Sequence, residues 1–426
     1  MTFKKIYILL IMILLIDGSL SACEKHRVES ERQLVEGKGE ITSTGELKSE
    51  KEEATQQWEK GYNLAVDEQE RQEAESDCKI MMELISDLYD RVDKEDASDI
   101  VLNDEMIHEM QKRIKEKGYP VISTKMYSDM ENNEKFEDFL KECLKGKSGS
   151  IVLYKLHSDG GIGRDKFIFD GKDMYLLSAI AIWNMEDNPG MSDISYTRIK
   201  EWNYTDKGWF FYELYVPEPP EVTEIVVGTC LVRVKPQTKQ QREMSEKYVQ
   251  GLGYQGNNLL CSNWDTDHME NLDYNGMYEY LYAMKYKKAF PSEDYPNGIP
   301  KEEFESLIME YLVVTAKQIQ EYAVFDEKNQ TYVWERLGCF NYAPTFFGTS
   351  VGEVTNVKEN EDGTVTLTVD AVCDMVSWDD AIITHELTVR FADDGGFRYL
   401  GNKILDDRIK DIPNYQYRIE GKKSSE

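Results

Sequence analysis

Twice along this chain the spacing of apolar residues changes from helical to alternating, and that change limits the folds open to it. Met81, Leu84, Ile85, Leu88, Tyr89 and Val92 recur at helical spacing, as do Phe136, Phe139, Leu140, Cys143 and Leu144. A helix between them, Asp104 to Lys117, is stopped by Gly118 with Pro120 just beyond. Strands then follow: Ile151 to His157, Lys166 to Phe169 turning at Asp170-Gly171 into Met174 to Trp183, Ile194 to Tyr204, Trp209 to Val216, and Val222 to Val234. The same order returns later. Tyr274, Met277, Tyr278, Leu281 and Tyr282 make one helical stripe, and Phe304, Leu307, Ile308, Tyr311 and Leu312 make another behind Pro300. Thr315 with Gln318 has the spacing of a capping box. Strands at Thr331 to Leu337, Gly352 to Val357 and Thr364 to Val372, and a hairpin from Glu386 to Phe391 that turns at 393–396 and returns to Ile404, close the series.

Helices followed by antiparallel strands, twice over, predict an α+β protein of two domains. The strand at 364–372 puts Val365, Leu367, Val369 and Ala371 on one face and Thr364, Thr366, Thr368 and Asp370 on the other. Such alternation predicts a sheet with one wet face, its other face packed on helices. A curved sheet of the NTF2-like kind is one form this takes. Residues 76–235 are read as the first domain, 236–252 as a linker that is helical in part, and 253–420 as the second. Residues 23–75 are rich in Glu, Lys, Gln, Ser, Gly and Thr, and predict a disordered, charged tether whose later part, Gln56 to Ser76, is helix-prone and solvated by its charges.

The amino terminus has its own pattern. Lys4-Lys5 precede an apolar run from Ile6 to Ile16, well short of the roughly 20 residues a membrane-crossing helix needs. A positive flank, a short apolar run and small residues before a cleavage point describe a secretory signal over residues 1–22. Leu20-Ser21-Ala22-Cys23 resembles the lipobox of bacterial lipoproteins. The resemblance implies cleavage before Cys23 and a lipid on its thiol, holding the chain to the outer face of the cell membrane.

The formal net charge of -30 repels phosphate backbones and predicts no nucleic-acid partner. With 41% apolar and 11% aromatic residues, the chain can build real cores. Its seven cysteines are widely spaced, with no Cys-x-x-Cys. Apart from Cys23 they read as buried free thiols.

Motifs that suggest chemistry lose their context on inspection. Gly251-Leu252-Gly253-Tyr254-Gln255-Gly256 matches the dinucleotide pattern, but no strand precedes it and no helix follows, so it reads as a turn. Gly146-Lys147-Ser148 lacks the earlier glycine of a phosphate loop, since position 141 is Lys141. His385-Glu386 lacks the second histidine of a zinc protease, since position 389 is Val389. His157, Asp159 and Arg164 flank a glycine-rich turn. Asp265, Asp267 and His268, beside Trp264, are the one acid–imidazole group with the residue types for acid–base work, and they make an envelope hydrolase the alternative reading. No cofactor or metal is expected. Trp202, Trp209, Trp264, Trp334 and Trp378 supply core packing, with a few available for a binding face.

The second half also resembles a family of clostridial lipoproteins of unknown function. The resemblance rests on residues 253–259 (GYQGNNL) and 295–304 (YPNGIPKEEF), and on Asn341-Tyr342-Ala343-Pro344 and residues 361–367 (EDGTVTL). It implies a Gram-positive anaerobe and carries no activity. The expectation is therefore an acidic, lipid-anchored extracellular protein that binds a ligand or supports an envelope assembly without catalysis.

Overall fold

The structure is a computed structural model that describes residues 59–92, 100–184, 186–223, 226–338, 346–373, 381–392, 395–405 and 415–419. Cys23, the signal segment, Asn341-Tyr342-Ala343-Pro344 and Trp378 lie outside these. The chain divides into two compact units between Pro236 and Gln237, and both are α+β.

In the first unit, α1 (Glu68–Tyr89) is capped by Asp67, whose side chain accepts from the Gln69 amide. It is followed by α2 (Asp104–Lys115), β1 (Val121–Ser123), α3 (Asn133–Leu144) and then β2 (Gly149–Leu156), β3 (Ile162–Phe169), β4 (Met174–Trp183), β5 (Pro189–Tyr204), β6 (Trp209–Leu214) and β7 (Thr229–Arg233). The seven strands lie in chain order, antiparallel except that β1 runs parallel to β2. On one face Ala74, Cys78, Met82 and Ile85 of α1 and Met110 and Ile114 of α2 pack against Tyr154, Leu156, Ile162 and Ala179. On the other, Phe136, Leu140 and Cys143 of α3 meet Leu153, Phe167, Phe210 and Val232.

The sheet is curled. Phe167 on β3 and Phe210 on β6 are three strand steps apart, roughly 14 Å in a flat sheet. Their ring centroids nevertheless lie 5.4 Å apart. Register shifts at Ile180/Ala181 and Ile199/Glu201 are bulges, which bend the strand that carries them.

Two expectations change here. The folded unit begins before Ser76: Leu64 is buried and α1 starts at Glu68. Glu70 and Glu73, inside the stretch expected to be a charged tether, and Asp77 just beyond it are held by Lys166 and Arg164 on β3. The last strand is five residues long rather than thirteen, because its partner β6 ends at Leu214.

The second unit opens with α4 (Lys239–Tyr248), inside the stretch read as a linker. Its Thr238–Gln241 capping box is complete, and it packs against β12 (Val351–Glu359). Ser245 Oγ accepts from the Val354 amide at the β12 bulge, while Gln237 and Gln241 donate to the Val354 and Thr355 carbonyls. The edge of the sheet is thereby covered, which blunts strand addition. That sheet runs β12, β13 (Val365–Val372), β14 (Thr384–Phe391), β15 (Phe397–Ile404) and β8 (Trp264–Asp265), all antiparallel. Val365, Leu367, Val369 and Ala371 are all buried, as their alternation predicts, but Thr364 and Asp370, expected on the wet face, are buried as well, Asp370 accepting from the Thr384 hydroxyl.

Helices α5 (Tyr274–Tyr286), α6 (Lys301–Tyr311) and α7 (Ala316–Tyr322) supply Tyr278, Leu281, Phe304, Ile308 and Ile319 to the same core. Three two-residue strands, β9 (Ile299–Pro300), β10 (Phe325–Asp326) and β11 (Thr331–Tyr332), form a small second sheet. The strand expected to reach Leu337 stops at Tyr332, because Asn275 of α5 donates to the next carbonyl, Val333. The capping box on α7 is formed as expected, with Thr315 accepting from the Gln318 amide. Replacing Thr315 by Ala should cost about 1 kcal/mol, read as a lowered thermal midpoint of the full chain.

Candidate functional site

The acid–imidazole group sits where β8 ends. Asp265 pairs with Gly401 of β15, and the chain turns at once. Asp265 Oδ1 accepts from the Asp267 amide at 3.0 Å and from His268 Nδ1 at 2.8 Å. The structure thus joins Asp265 to His268 by side chains, and brings in Asp267 only through its backbone. The two side chains are 60% and 69% exposed. The hydrogen bond to Asp265 raises the His268 pKa, and the same bond lowers that of Asp265. Each partner thus favours the other's charged form, and the pair is set in water. Trp264 beside them points inward, donating from Nε1 to the Leu259 carbonyl.

The other groups singled out in the sequence are committed internally. His385 is wholly buried on β14. Its Nδ1 lies 2.6 Å from Asn402 Oδ1 and its Nε2 2.8 Å from the Tyr254 hydroxyl. Asn402 spends both amide hydrogens on the Leu260 and Ser262 carbonyls, so its Oδ1 accepts and His385 carries its proton on Nδ1. Burial lowers the His385 pKa to about 4. Arg164 is fully buried and donates to Asp77 and Glu73, both at 2.8 Å. Asp159 accepts from the Gly161 amide, and Trp183 Nε1 donates to the Gly160 carbonyl, so that loop is a packed turn. Gly253-Tyr254-Gln255-Gly256 is a turn as well, with positive φ at both glycines.

A third group was not singled out. Inside the curled sheet, Lys155 of β2 faces Asp165 of β3 with Nζ 2.5 Å from Oδ2, and Ser178 of β4 donates to Asp165 Oδ1 at 2.7 Å. The side chains of Lys155 and Asp165 are 19% and 4% exposed. Burial pulls the Lys155 ammonium down, but Asp165 and Cys230 push it harder, and the net direction is up. The wholly buried Tyr212 feels the same carboxylate. The signal was present in the strand pattern: Lys155 shares parity with Ile151 and Leu153, and Asp165 with Phe167 and Phe169, so both charges fall on an inward face.

Of the tryptophans, Trp202 packs on Phe169 and Phe210, Trp209 lies under Arg233, and Trp334 packs against Phe290. Among the described residues the thiols of Cys78, Cys143 and Cys261 are free, and burial raises those of Cys78 and Cys261 to about 12. Among the described residues no three His, Cys, Asp or Glu side chains are grouped to hold a metal, and no helix is long and apolar enough to cross a membrane.

A family model matches residues 71–418, most of the chain and both of its units; it describes a family of unknown function. The chain belongs to that family, DUF6070. No curated protein and no solved structure matches it.

Proposed function

We propose that this chain is a lipid-anchored protein on the outer face of a Gram-positive cell, and that it binds an envelope ligand or partner rather than transforming one. The lipobox-like Leu20-Ser21-Ala22-Cys23 behind Lys4-Lys5 supports the anchor. The charge of -30 argues for a partner other than nucleic acid. The observation that carries the binding reading is the state of the acid–imidazole group. Asp265 is already paired with His268 in open water, where a carboxylate–imidazole pair gains little over solvent as an acid–base device.

The anchor is tested by expressing the full chain in a Gram-positive host fed labelled fatty acid. Label should enter the protein, disappear in Cys23→Ala, and mark a chain that added protease digests on intact cells. An unlabelled residue 23, or a cytosolic chain, overturns the anchor. The hydrolase alternative makes a separate demand. A chain carrying D265N, D267N and H268Q should restore whatever envelope defect follows deletion of the gene. If the folded triple variant fails to restore it while wild type succeeds, the site is reactive.

A further inference from the structure

We propose that Lys155 and Asp165 become joined by an amide bond between Nζ and Cγ, formed by the folded first unit itself. The strand register prepares the contact. Lys155 stands opposite Gly163, and Asp165 opposite Leu153, so the two side chains are diagonal neighbours on the inner face of β2 and β3. Gly163 leaves room for the lysine stem: a Cβ there would lie 3.3 Å from Lys155 Cβ and 3.1 Å from His157 Nε2.

The contact itself is unusual. Lys155 Nζ is 2.5 Å from Asp165 Oδ2, yet that buried oxygen accepts no hydrogen bond. The nitrogen approaches out of line with a hydrogen bond. The neighbouring Lys166–Glu70 pair, by contrast, makes two ordinary hydrogen bonds of 2.7 Å. A carbon–oxygen bond is about 1.2 Å long, so Cγ lies no more than about 3.7 Å from the amine nitrogen. That is close to the separation of a near-attack pair.

The surroundings favour the step. Leu153, Phe167, Leu176 and Tyr212 belong to the same core, where a separated ion pair is poorly solvated. Transfer of one proton from the ammonium to the carboxylate gives a neutral amine beside a neutral acid. The amine lone pair attacks Cγ, and the Ser178 hydroxyl at Oδ1 stabilises the charge that develops on that oxygen. The Cγ–Oδ2 bond then breaks. Oδ2 leaves as water with its own proton and one from nitrogen, and an amide remains. No oxidant, metal or cofactor takes part. The bond closes the loop between β2 and β3, including Gly160-Gly161, as a covalent ring.

Intact mass under denaturing conditions tests this on the unmodified full chain. The mass of wild type should fall one water short of its sequence relative to Lys155→Arg, which keeps the positive charge but offers no lysine amine. Trypsin should fail to cut after Lys155, and fragmentation should yield a branched peptide. Asp165→Asn should reach the same mass as bridged wild type, because ammonia leaves in place of water. Folded wild type with its full sequence mass and normal cleavage after Lys155 would leave an ion pair only, and overturn the proposal. Neither result touches the lipid anchor, which is read at Cys23.

Discussion

Removing both Glu73 and Asp77 should destabilise the first unit by about 3–5 kcal/mol, because it leaves Arg164 charged and unpaired in the core. Arg164 is wholly buried, and its Nε and Nη2 point at Asp77 and Glu73. The carboxylates themselves reach solvent, at 25% and 44% exposure. The asymmetry gives the prediction its shape. Arg164→Met removes the buried charge and lets both acids take up water, so it should cost less than E73A/D77A even though both delete the Arg164 ion pairs; E73A also removes only a long Lys166–Glu73 contact of 3.5 Å. Hydrogen exchange of the β3 and β4 amides in the full chain reads the first unit without requiring the whole protein to unfold in one step. Equal losses for the two variants would mean that the pairs act as surface contacts, whose worth is small.

This pair also shows where sequence reading stops. Periodicity marks the apolar face where burial follows one stripe, as at Phe136, Leu140 and Cys143 of α3, but Leu144 on the same expected stripe is 59% exposed, and α5 buries Tyr274 through Tyr278 in succession. At α1 it failed at the amino end. Glu70, Glu73 and Asp77 look like solvent-facing charges until the partner strand is known, and Arg164 and Lys166 lie some ninety residues away. Charge pairing at that range leaves no local pattern. The reading of 236–252 as a boundary, helical in part, missed how that helix packs for a related reason. The buried polar groups of this stretch, Gln237 and Ser245, answer backbone atoms exposed by a bulge in β12. No residue within the stretch announces that bulge. Asp265, Asp267 and His268 were legible as a cluster, but their exposure depends on where β8 ends against β15. His385, by contrast, shares parity with the buried Leu387 and Val389, and that parity alone marks it as inward-facing.

The parity of His385 leads to the other large effect. As the pH falls from about 6.5 to about 4, the second unit should lose roughly 3 kcal/mol through this one residue. The sign follows from the direction of the shift. Burial lowers the folded pKa to about 4 from the ordinary value of 6.5, so between those limits the unfolded chain binds a proton that the folded chain refuses. The contribution is complete above pH 6.5 and is lost as pH falls through the folded value. Protonation would place a charge with no acid in its hydrogen-bond shell, where Asn402 Oδ1 already takes the Nδ1 proton and Tyr254 holds Nε2. His385→Gln removes the titration. It should be less stable than wild type at pH 7, yet nearly as stable as wild type at pH 4, once the shared loss from carboxylates is subtracted. Denaturant midpoints of both chains across this range make the comparison, and parallel curves would place the proton uptake on other groups.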